Sequence, residues 1–538
     1  MTHFVSYFDY QRHPPTRPAI AGGRDPVRHR VAIVGGGPVG FAMALGLARH
    51  GVASVVLEAD DTVCTGSRAG CITDRTLQTF ARLGVAEPHL RQGLAWSEGW
   101  SYWRDRPVLH LQVPQDPLAR YPRLLNIQQC YVEQFLLDRI EALRGLIEVR
   151  WCNRVSGVKA RDDGVALQVD LPDGGYALDA DWVVATDGAH SSVRRALGLR
   201  FVGTRYDGTY VIVDILMKSD LPAGRRAWFD PPSNPGATLL LHKHRDDLWR
   251  FDYQLRDDED PEEAVRPENV LERVRSHLAF MGETQPWEPV WISLYRASCL
   301  TLERYRHGRV LLAGDAAHLV PIFGVRGLNS GIDDTANLAW KLAWVAEGRV
   351  PSRLLDSYSD ERVHATRENM RHASKSCEFM APPSPAFRLM REAALSLAVE
   401  HEWIRRLVDP RQSASVGYPD SPLNADDEGA RFAGGPARGC NLADAPLDDG
   451  TALADAIGTG FTVLLFGDAP FEPSPTPAGG VPTVLRARAD GPLAQRHDAR
   501  PGTCYVYRPD GHVLGRWRTA DPIEVERAIA ACCDGGRP

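Results

Sequence analysis

The sequence predicts a mixed α/β fold, and three observations carry that reading. The uncharged, glycine-punctuated run from Val31 to Ala48 has the pattern of strand, glycine turn and helix. Residues 207–300 alternate apolar and polar side chains in the manner of sheet strands. After residue 440 the pattern restarts as short strands and helices, which marks a separate small α/β domain. A chain of 538 residues has room for roughly three or four domains.

Residues 1–28 are rich in Pro, Arg and Gly and are expected to form an arm. A buried strand follows over His29–Val34, then a helix to about His50, ended by Gly51. Val52–Leu57 is a second apolar strand, and two strands around one helix imply a parallel sheet. Arg75–Leu83 and Glu133–Leu143 read as helices, and the aromatic stretch Trp96–Val113 as extended chain. Val165–Leu171 and Tyr176–Asp181 flank Asp173-Gly174-Gly175, a hairpin signal, and Trp182–Ala185 is another buried strand. Within 207–300 one helix, near Pro267–Phe280, interrupts the strands. Val310–Ala313 is a short buried strand, and Ser330–Glu347 an amphipathic helix stopped by Gly348 with Pro351 beyond. Helices dominate to about Val408, and 409–440 reads as a Gly-, Pro- and Asp-rich linker.

Composition excludes several function classes. Lys and Arg total 62 against 69 Asp and Glu, a net charge of -7, so nucleic acid and anionic membranes are not expected partners. The first fifteen residues lack an apolar signal-peptide core, and no anchoring segment is expected. Ten cysteines without a Cys-x-x-Cys fit neither a zinc finger nor a disulfide scaffold. They indicate reduced thiols and a cytoplasmic location, with Cys532 and Cys533 as helix-end thiols.

Three strings carry chemistry. Gly35-Gly36-Gly37-Pro38-Val39-Gly40 follows a strand and opens a helix, where glycines let a backbone approach a pyrophosphate and the helix end attracts its charge. Glu58 ends the next strand, where an acid can accept ribose hydroxyls. Asp187-Gly188-Ala189-His190-Ser191-Ser192-Val193-Arg194 and Gly314-Asp315-Ala316-Ala317-His318 each place an Asp at the end of a buried strand. Either Asp could accept hydrogen bonds from a polyol, or cap a helix.

In this order the three strings resemble the class A FAD-dependent aromatic monooxygenases, whose best-known fold is that of 4-hydroxybenzoate hydroxylase. The resemblance covers residues 30 to about 400. The run from Gly314 to Ala343 looks like the branch with phenol hydroxylase and 3-(3-hydroxyphenyl)propionate hydroxylase. It implies a Rossmann-type FAD-binding domain interleaved with a β-sheet substrate domain, plus a C-terminal thioredoxin-like domain. The expected parts are the FAD-binding domain over 29–206, with substrate-domain insertions near 96–125, and the substrate sheet over 207–300. The second FAD-binding part and helices follow over 301–408, and the thioredoxin-like domain over 441–538. Lacking Cys-x-x-Cys, that last domain is expected to be structural.

The resemblance also implies roles. Gly35, Gly37, Pro38, Val39 and Gly40 would hold the FAD diphosphate, and Glu58 the adenosine ribose. Arg68, in Ser67-Arg68-Ala69, matches a flavin-contacting arginine, and Gln129 (or Gln128) a glutamine at the ribityl chain. Gly314 and Asp315 would meet the ribityl hydroxyls, and Asp187 both FAD and the nicotinamide cofactor. The backbone of Gly327, Leu328 and Asn329 would meet the flavin's pyrimidine edge. There, a helix starting near Ser330 would stabilise the charge of reduced flavin.

The sequence departs from the family at Pro321-Ile322, where Pro-Pro is usual, and at Val325-Arg326. Arg326 reads equally as a charge beside flavin or acidic substrate and as a solvent-facing side chain. His242-Lys243-His244 puts two histidines on one strand face, but no third ligand is apparent, so no metal site is expected. Trp249, Phe251 and Tyr253 share a strand face and read as sheet core. Arg225-Arg226 reads as a solvated loop rather than a carboxylate clamp, and Asp257-Asp258-Glu259-Asp260 as a surface turn.

The expected activity is NAD(P)H- and O2-dependent hydroxylation of a phenolic or aromatic-acid substrate through a flavin C4a-hydroperoxide. His242 and Tyr295 are candidates for the base that deprotonates a phenol. NADPH and NADH are both open as reductant, and the resemblance favours a homodimer. Two alternatives stand beside this: Baeyer–Villiger, epoxidising or dehydrogenating chemistry on a related flavoprotein, and a non-catalytic flavin-binding protein.

Overall fold

The computed structural model of the protein describes residues 4–66, 68–408 and 415–536. Its first sheet is built on β1 (Arg24–Val34), which pairs in parallel with β2 (Ser54–Leu57) across helix α1 (Pro38–Arg49). Helices α2 (Asp74–Leu83) and α3 (Gln129–Glu141) follow, separated by β3 (Glu98–Trp103) and β4 (Arg106–Gln112). Parallel pairing continues through β5 (Ile147–Arg150) beside β2. On the other side of β1 it passes through β7 (Gly174–Ala185) to β13 (Val310–Leu312). Strand β6 (Val165–Leu171) forms the expected hairpin with β7, turning between Leu171 and Gly174. The two strands expected at Tyr176 and Trp182 are one continuous strand. β1 also begins five residues earlier than expected, inside the expected arm.

The second sheet contains β8 (Val202–Met217), β9 (Arg225–Phe229), β10 (Thr238–Lys243), β11 (Leu248–Gln254) and β12 (Trp287–Thr301). Their spatial order is β12-β8-β11-β10-β9, and β3 and β4 complete the sheet beside β9. The early excursion at 98–112 therefore belongs to this sheet, although about a hundred residues of the first fold separate it from β8 in sequence.

One face of the sheet is apolar. Val211, Val213, Leu239, Leu241, Trp249, Phe251 and Tyr253 pack there with Val270, Val274 and Leu278 of helix α5 (Pro267–Met281). The aromatic triplet of β11 is thus core, as alternation predicts. The opposite face turns to the first sheet's domain: it is polar at Arg225, His242, Arg250 and Asp214, while Tyr210, Ala227, Phe229 and Leu240 pack in an apolar cluster with Phe323, Cys377 and Met380.

Helix α6 (Gly327–Ala346) returns under α1, and α7 (Asp356–Met380) and α8 (Pro385–Glu400) follow. α6 starts three residues before the expected Ser330. The chain makes a tight turn with positive φ at Gly324 and Val325, and Arg326 becomes the helix-flanking residue.

The C-terminal unit is a four-stranded mixed sheet of β14 (Thr462–Phe466), β15 (Thr483–Ala487), β16 (Cys504–Tyr507) and β17 (Val513–Trp517), closed by α9 (Pro522–Cys533). Cys532 and Cys533 are buried free thiols at the end of α9.

The expected arm and linker both pack against the rest of the protein where they are described. Of the expected linker, residues 409–414 lie outside the described residues, as does Ser67. From residue 415 on the segment packs against the protein: Tyr418 is buried and accepts a hydrogen bond from Arg362 of α7 (2.8 Å). The arm is also fastened. Val5 N–H donates to Pro289 O and His13 N–H to Asp61 O. Gly66 N–H donates to the Tyr10 hydroxyl, and His13 stacks on Trp151 with ring centroids 4.3 Å apart. Pro-rich chain makes few hydrogen bonds of its own, so aromatic side chains secure it to the loop Asp60–Gly66.

Candidate active site

A cleft of about 1190 Å³ opens between the C-terminal ends of the parallel strands and the facing side of the second sheet. It is lined by every expected site residue except Gly40, which packs behind its wall. The position follows from topology, since ligands of such parallel sheets bind beyond the strands' carboxyl ends.

At one end is the glycine turn. Gly35 has φ +103°, and an added Cβ would sit 2.7 Å from Thr186 O. A Cβ on Gly40 would lie 1.9 Å from Gly35 O, so only glycine allows α1 to start here. No side chain caps α1, which leaves its first N–H groups directed at the cleft. Glu58 accepts hydrogen bonds from Gly36 N–H (2.5 Å) and Asp60 N–H (2.8 Å), and burial pushes its carboxyl up.

The sequence reading missed Glu133. This buried carboxylate sits beneath the turn, accepting from Cys64 N–H (2.6 Å) and the Gln129 amide (2.8 Å). Burial raises it to about 7. Gln129 is thereby fixed against both Glu133 and Ala69 N–H, and the neighbouring Arg68 side chain extends into the cleft.

The two aspartate strings meet. Asp187 Oδ2 accepts from Ser192 N–H, the Ser192 hydroxyl and Val193 N–H, at the start of a short helix over Ser192–Ala196. Its Oδ1 is buried without a hydrogen-bond partner among the described residues. One oxygen thus caps a helix, as one of the two expected readings has it, while the other oxygen has no protein partner among the described residues. Arg194 donates to Ala189 O and to Ala316 O, tying the second string to the third. Asp315 extends into the cleft, and the enclosing walls push its carboxyl up. Gly314 N–H donates to Asp334 of α6 (2.9 Å), and His318 Nε2 lies 2.7 Å from the same carboxylate.

The N-terminus of α6 also has no side-chain cap. Gly327 and Leu328 line the cleft there, and Asn329 braces the turn, donating to Cys71 O (3.2 Å) and Val325 O (2.8 Å). Arg326 is not solvent-facing. It is 3% exposed and donates to Asn369 of α7 (3.1 Å).

Strand register explains the other wall. Arg225 pairs with His242, His242 with Arg250, and Arg250 with Asp214, which places one polar row across β9, β10, β11 and β8. Two residues along lie Ala227, Leu240, Asp252, Ile212 and Ser293. Arg250 donates to Asp252 (2.9 Å) and to Arg68 O (2.5 Å), and His242 Nε2 is 3.5 Å from Asp252. Burial and the guanidiniums of Arg225 and Arg250 hold His242 well below the ordinary histidine range. His244 is lowered to about 3.

The solvated-loop reading of Arg225-Arg226 is therefore wrong. Arg225 is 8% exposed and lines the cleft, while Arg226 lies over the Trp100 ring at 4.5 Å. Tyr295 accepts from Ile322 N–H (3.2 Å), and burial raises its hydroxyl, keeping it protonated. Among the described residues no group of three His, Cys, Asp or Glu is placed to hold a metal ion. The acidic run forms ion pairs instead, with Glu259 beside Arg256 and Arg273.

These residues fit a dinucleotide carrying a redox-active ring. The uncapped start of α1 has the free N–H groups that suit a diphosphate, Glu58 the carboxylate that suits a ribose, and the uncapped start of α6 the N–H groups that suit an anionic ring edge.

Comparison with known proteins agrees. Residues 28–373 match the family described as FAD binding domain. The chain is 29% identical over 448 residues to 3-(3-hydroxy-phenyl)propionate/3-hydroxycinnamic acid hydroxylase of Mycolicibacterium smegmatis, covering 82% of this chain and 77% of that one. It is 28% identical over 529 residues to 6-methylpretetramide 4-monooxygenase of Streptomyces rimosus, covering 90% of each. Its fold matches the solved anhydrotetracycline hydroxylase from Streptomyces rimosus with a TM-score of 0.70 at 25% identity, over 95% of this chain and 100% of that one. The matched segment supplies the residues of both cleft walls, and the chain belongs to the class A FAD-dependent aromatic monooxygenases.

Proposed function

We propose that this protein uses NADPH or NADH and O2 to hydroxylate an electron-rich aromatic ring that carries an acidic oxygen. The observation that supports this most is the polar row Arg225, His242, Arg250, set in a buried wall opposite the uncapped start of α6. The relatives' printed names, 3-(3-hydroxy-phenyl)propionate/3-hydroxycinnamic acid hydroxylase and 6-methylpretetramide 4-monooxygenase among them, point the same way. FAD, when bound, supplies the redox and oxygen-transfer chemistry.

The chain's own residues bind and orient. Gly35, Gly37, Pro38, Val39 and Gly40 would cradle the diphosphate, Glu58 the adenosine ribose, and Gln129, Gly314 and Asp315 the ribityl chain. Arg68 and the N–H groups of Gly327, Leu328 and Asn329 would meet the ring, with Asp187 serving FAD and the nicotinamide cofactor. Arg326 acts through its hold on α7 rather than on substrate. Arg225 would meet a carboxylate or phenolate, because an adjacent guanidinium favours the ionised form. His242, kept neutral by burial and by its arginine neighbours, would accept the phenol's hydrogen bond, and Tyr295, on β12 of the same sheet, would donate. Leu240, Ile212 and Phe323 keep that region apolar, which excludes water from the reacting ring.

The C-terminal unit's sheet order and closing helix support a thioredoxin-like domain with a structural role. Free thiols throughout support a cytoplasmic location, and among the described residues no helix is long and apolar enough to cross a membrane. The exposed apolar side chains of Leu389, Met390 and Trp403 supply a surface that a homodimer would cover.

The test is anaerobic flavin reduction by NADPH and by NADH, with and without a panel of phenols and aromatic acids, followed by oxygen-18 incorporation. Reduction accelerated by an aromatic acid, with labelled product, is expected. Reduction indifferent to every compound, or product without label, would overturn hydroxylation in favour of dehydrogenation.

A further inference from the structure

At the opposite end of α1 from the glycine turn lies a second, small pocket of about 40 Å³. Arg49 and His50 of α1, Arg82 of α2, Trp340 of α6 and Asp510 of the C-terminal unit enclose it. It sits in the seam where the C-terminal unit meets the FAD-binding core.

Its charges do not balance. Both terminal nitrogens of Arg82 are buried with no hydrogen-bond partner among the described residues, as are Nε and Nη1 of Arg75. The two guanidiniums converge, since a Cβ on Gly511 would lie 2.9 Å from Arg82 Nη1 and 3.5 Å from Arg75 Nη1. Arg75 keeps one bond, from Nη2 to Asp510 O (2.7 Å), and Arg49 donates to Ile457 O (3.0 Å). Both acceptors are neutral carbonyls.

The nearby carboxylates are already engaged or distant. Asp510 is held by Arg508 (2.7 Å), His512 N–H (3.1 Å) and Trp340 Nε1 (3.3 Å). Glu361 is shared by Lys341 (2.8 Å) and Arg508 (2.5 Å). Asp333 stands 3.5 Å from Arg75 Nε. Asp74 also acts on Arg75 and Asp360 on Lys341, yet of Arg49, Arg75 and Arg82 only Arg75 has an ion pair among the described residues, the 3.5 Å contact with Asp333, and His50 is held neutral by burial. Burial and the repulsion of Arg75 and Arg49 push Arg82 down to about 9. Arginine nevertheless stays protonated in proteins, so positive charge remains in a dry seam. Water would satisfy the N–H groups but not the charge. A cavity needs roughly 10–15 Å³ for one water, so the space here suits a single small ion.

We infer that this pocket binds one small monovalent anion, of the size of chloride or a simple carboxylate, against Arg82 and Arg49 of its lining, with the Arg75 guanidinium converging on that of Arg82. The anion joins the C-terminal unit to the FAD-binding core by neutralising the seam.

The test uses the full-length holoenzyme and bromide as the probe. Thermal melting is compared in sodium bromide and sodium gluconate at matched ionic strength, and crystals grown in bromide are examined for anomalous scattering. The wild type is expected to melt about 2–4 °C higher in bromide. An anomalous peak is expected within about 3.5 Å of the Arg82 guanidinium. Arg82→Met is expected to abolish the bromide shift and Arg82→Lys to retain part of it. Should Arg82→Met fail to fold, Arg82→Lys and the anomalous map decide. Equal melting of the wild type in both salts, a shift that survives Arg82→Met, or bromide found only elsewhere would each overturn the site.

Discussion

Asp334 on α6 lies 2.7 Å from Nε2 of His318, and both are buried. The same carboxylate accepts from Gly314 N–H and from Arg362 Nε (2.6 Å). It therefore fixes the string that carries Asp315 to the helix whose start faces the cleft. Asp334→Asn leaves the Arg362 charge buried without its partner, at a cost of about 3–5 kcal/mol. We expect a large drop in melting temperature with the FAD content of the folded fraction reduced, measured by calorimetry and flavin absorbance. His318 and Arg362 outweigh burial and hold the Asp334 carboxyl below its ordinary value of 3.8. The stability it contributes is present above that value and is lost as pH falls through the lower, folded one.

Gly40→Ala puts a methyl group 1.9 Å from Gly35 O. The glycine turn or α1 must shift, which costs about 1–3 kcal/mol or more. Purified Gly40→Ala is expected to carry little or no flavin, read from the ratio of visible to ultraviolet absorbance. Near-stoichiometric flavin would contradict the assignment of this turn to the diphosphate.

Burial pushes the Glu133 carboxyl up to about 7 from its ordinary value of 4.5. In the folded apoprotein its ionisation is therefore unfavourable, and stability is lost as pH rises from 4.5 through about 7. Glu133→Gln lacks this loss. The melting temperature of the variant relative to the wild type should rise across that window and then level off. The difference corresponds to about 1–3 kcal/mol. A difference flat in pH would rule out a buried neutral carboxyl.

Arg225→Met removes the guanidinium from the substrate wall without touching the glycine turn. For an aromatic acid we expect KM to rise about 10- to 100-fold, the scale of one charged hydrogen bond. The FAD content should be unchanged. Arg225→Lys should fall between the two. An effect equal for acids and for their uncharged analogues would show that Arg225 supports the strand rather than the ligand.

Removing residues 1–17 cuts the contacts to Asp61, Gly66 and Trp151. The loop that leads to Arg68 then loses its outer cover. FAD should dissociate faster from the truncated protein, by about tenfold for each 1.4 kcal/mol lost, as followed by the recovery of flavin fluorescence.

The parts legible in the sequence are those whose signals are short-range. His29 to Glu58 contains strand, turn, helix and strand in one continuous stretch, and α1 and β2 form where that pattern puts them. The triplet Trp249, Phe251 and Tyr253 is core because alternation alone decides its face. Arg225 was misread because Pro222, Gly224 and two arginines look like a loop, and only pairing with His242 turns the side chain into the cleft. Asp334 and Glu133 resemble the polar faces of ordinary helices. Their burial depends on Arg362, His318 and Cys64, which come from elsewhere in the chain. The packing of the arm is not legible in its own residues because its anchoring groups, from Asp61 to Pro289, are scattered over most of the fold.

The parallel sheet closes only when Val310–Leu312 reaches β7, and the cleft is complete only when α6 begins. During synthesis the glycine turn leaves the ribosome early, yet the strand beside Ala185 is still missing for another 125 residues or so at about 5–20 residues per second. Through that interval the nascent chain exposes a half-built apolar sheet with a free edge. Loading of the cofactor is therefore a late event, and a cell short of chaperones or of FAD will lose this protein as insoluble chains before it loses it as inactive enzyme.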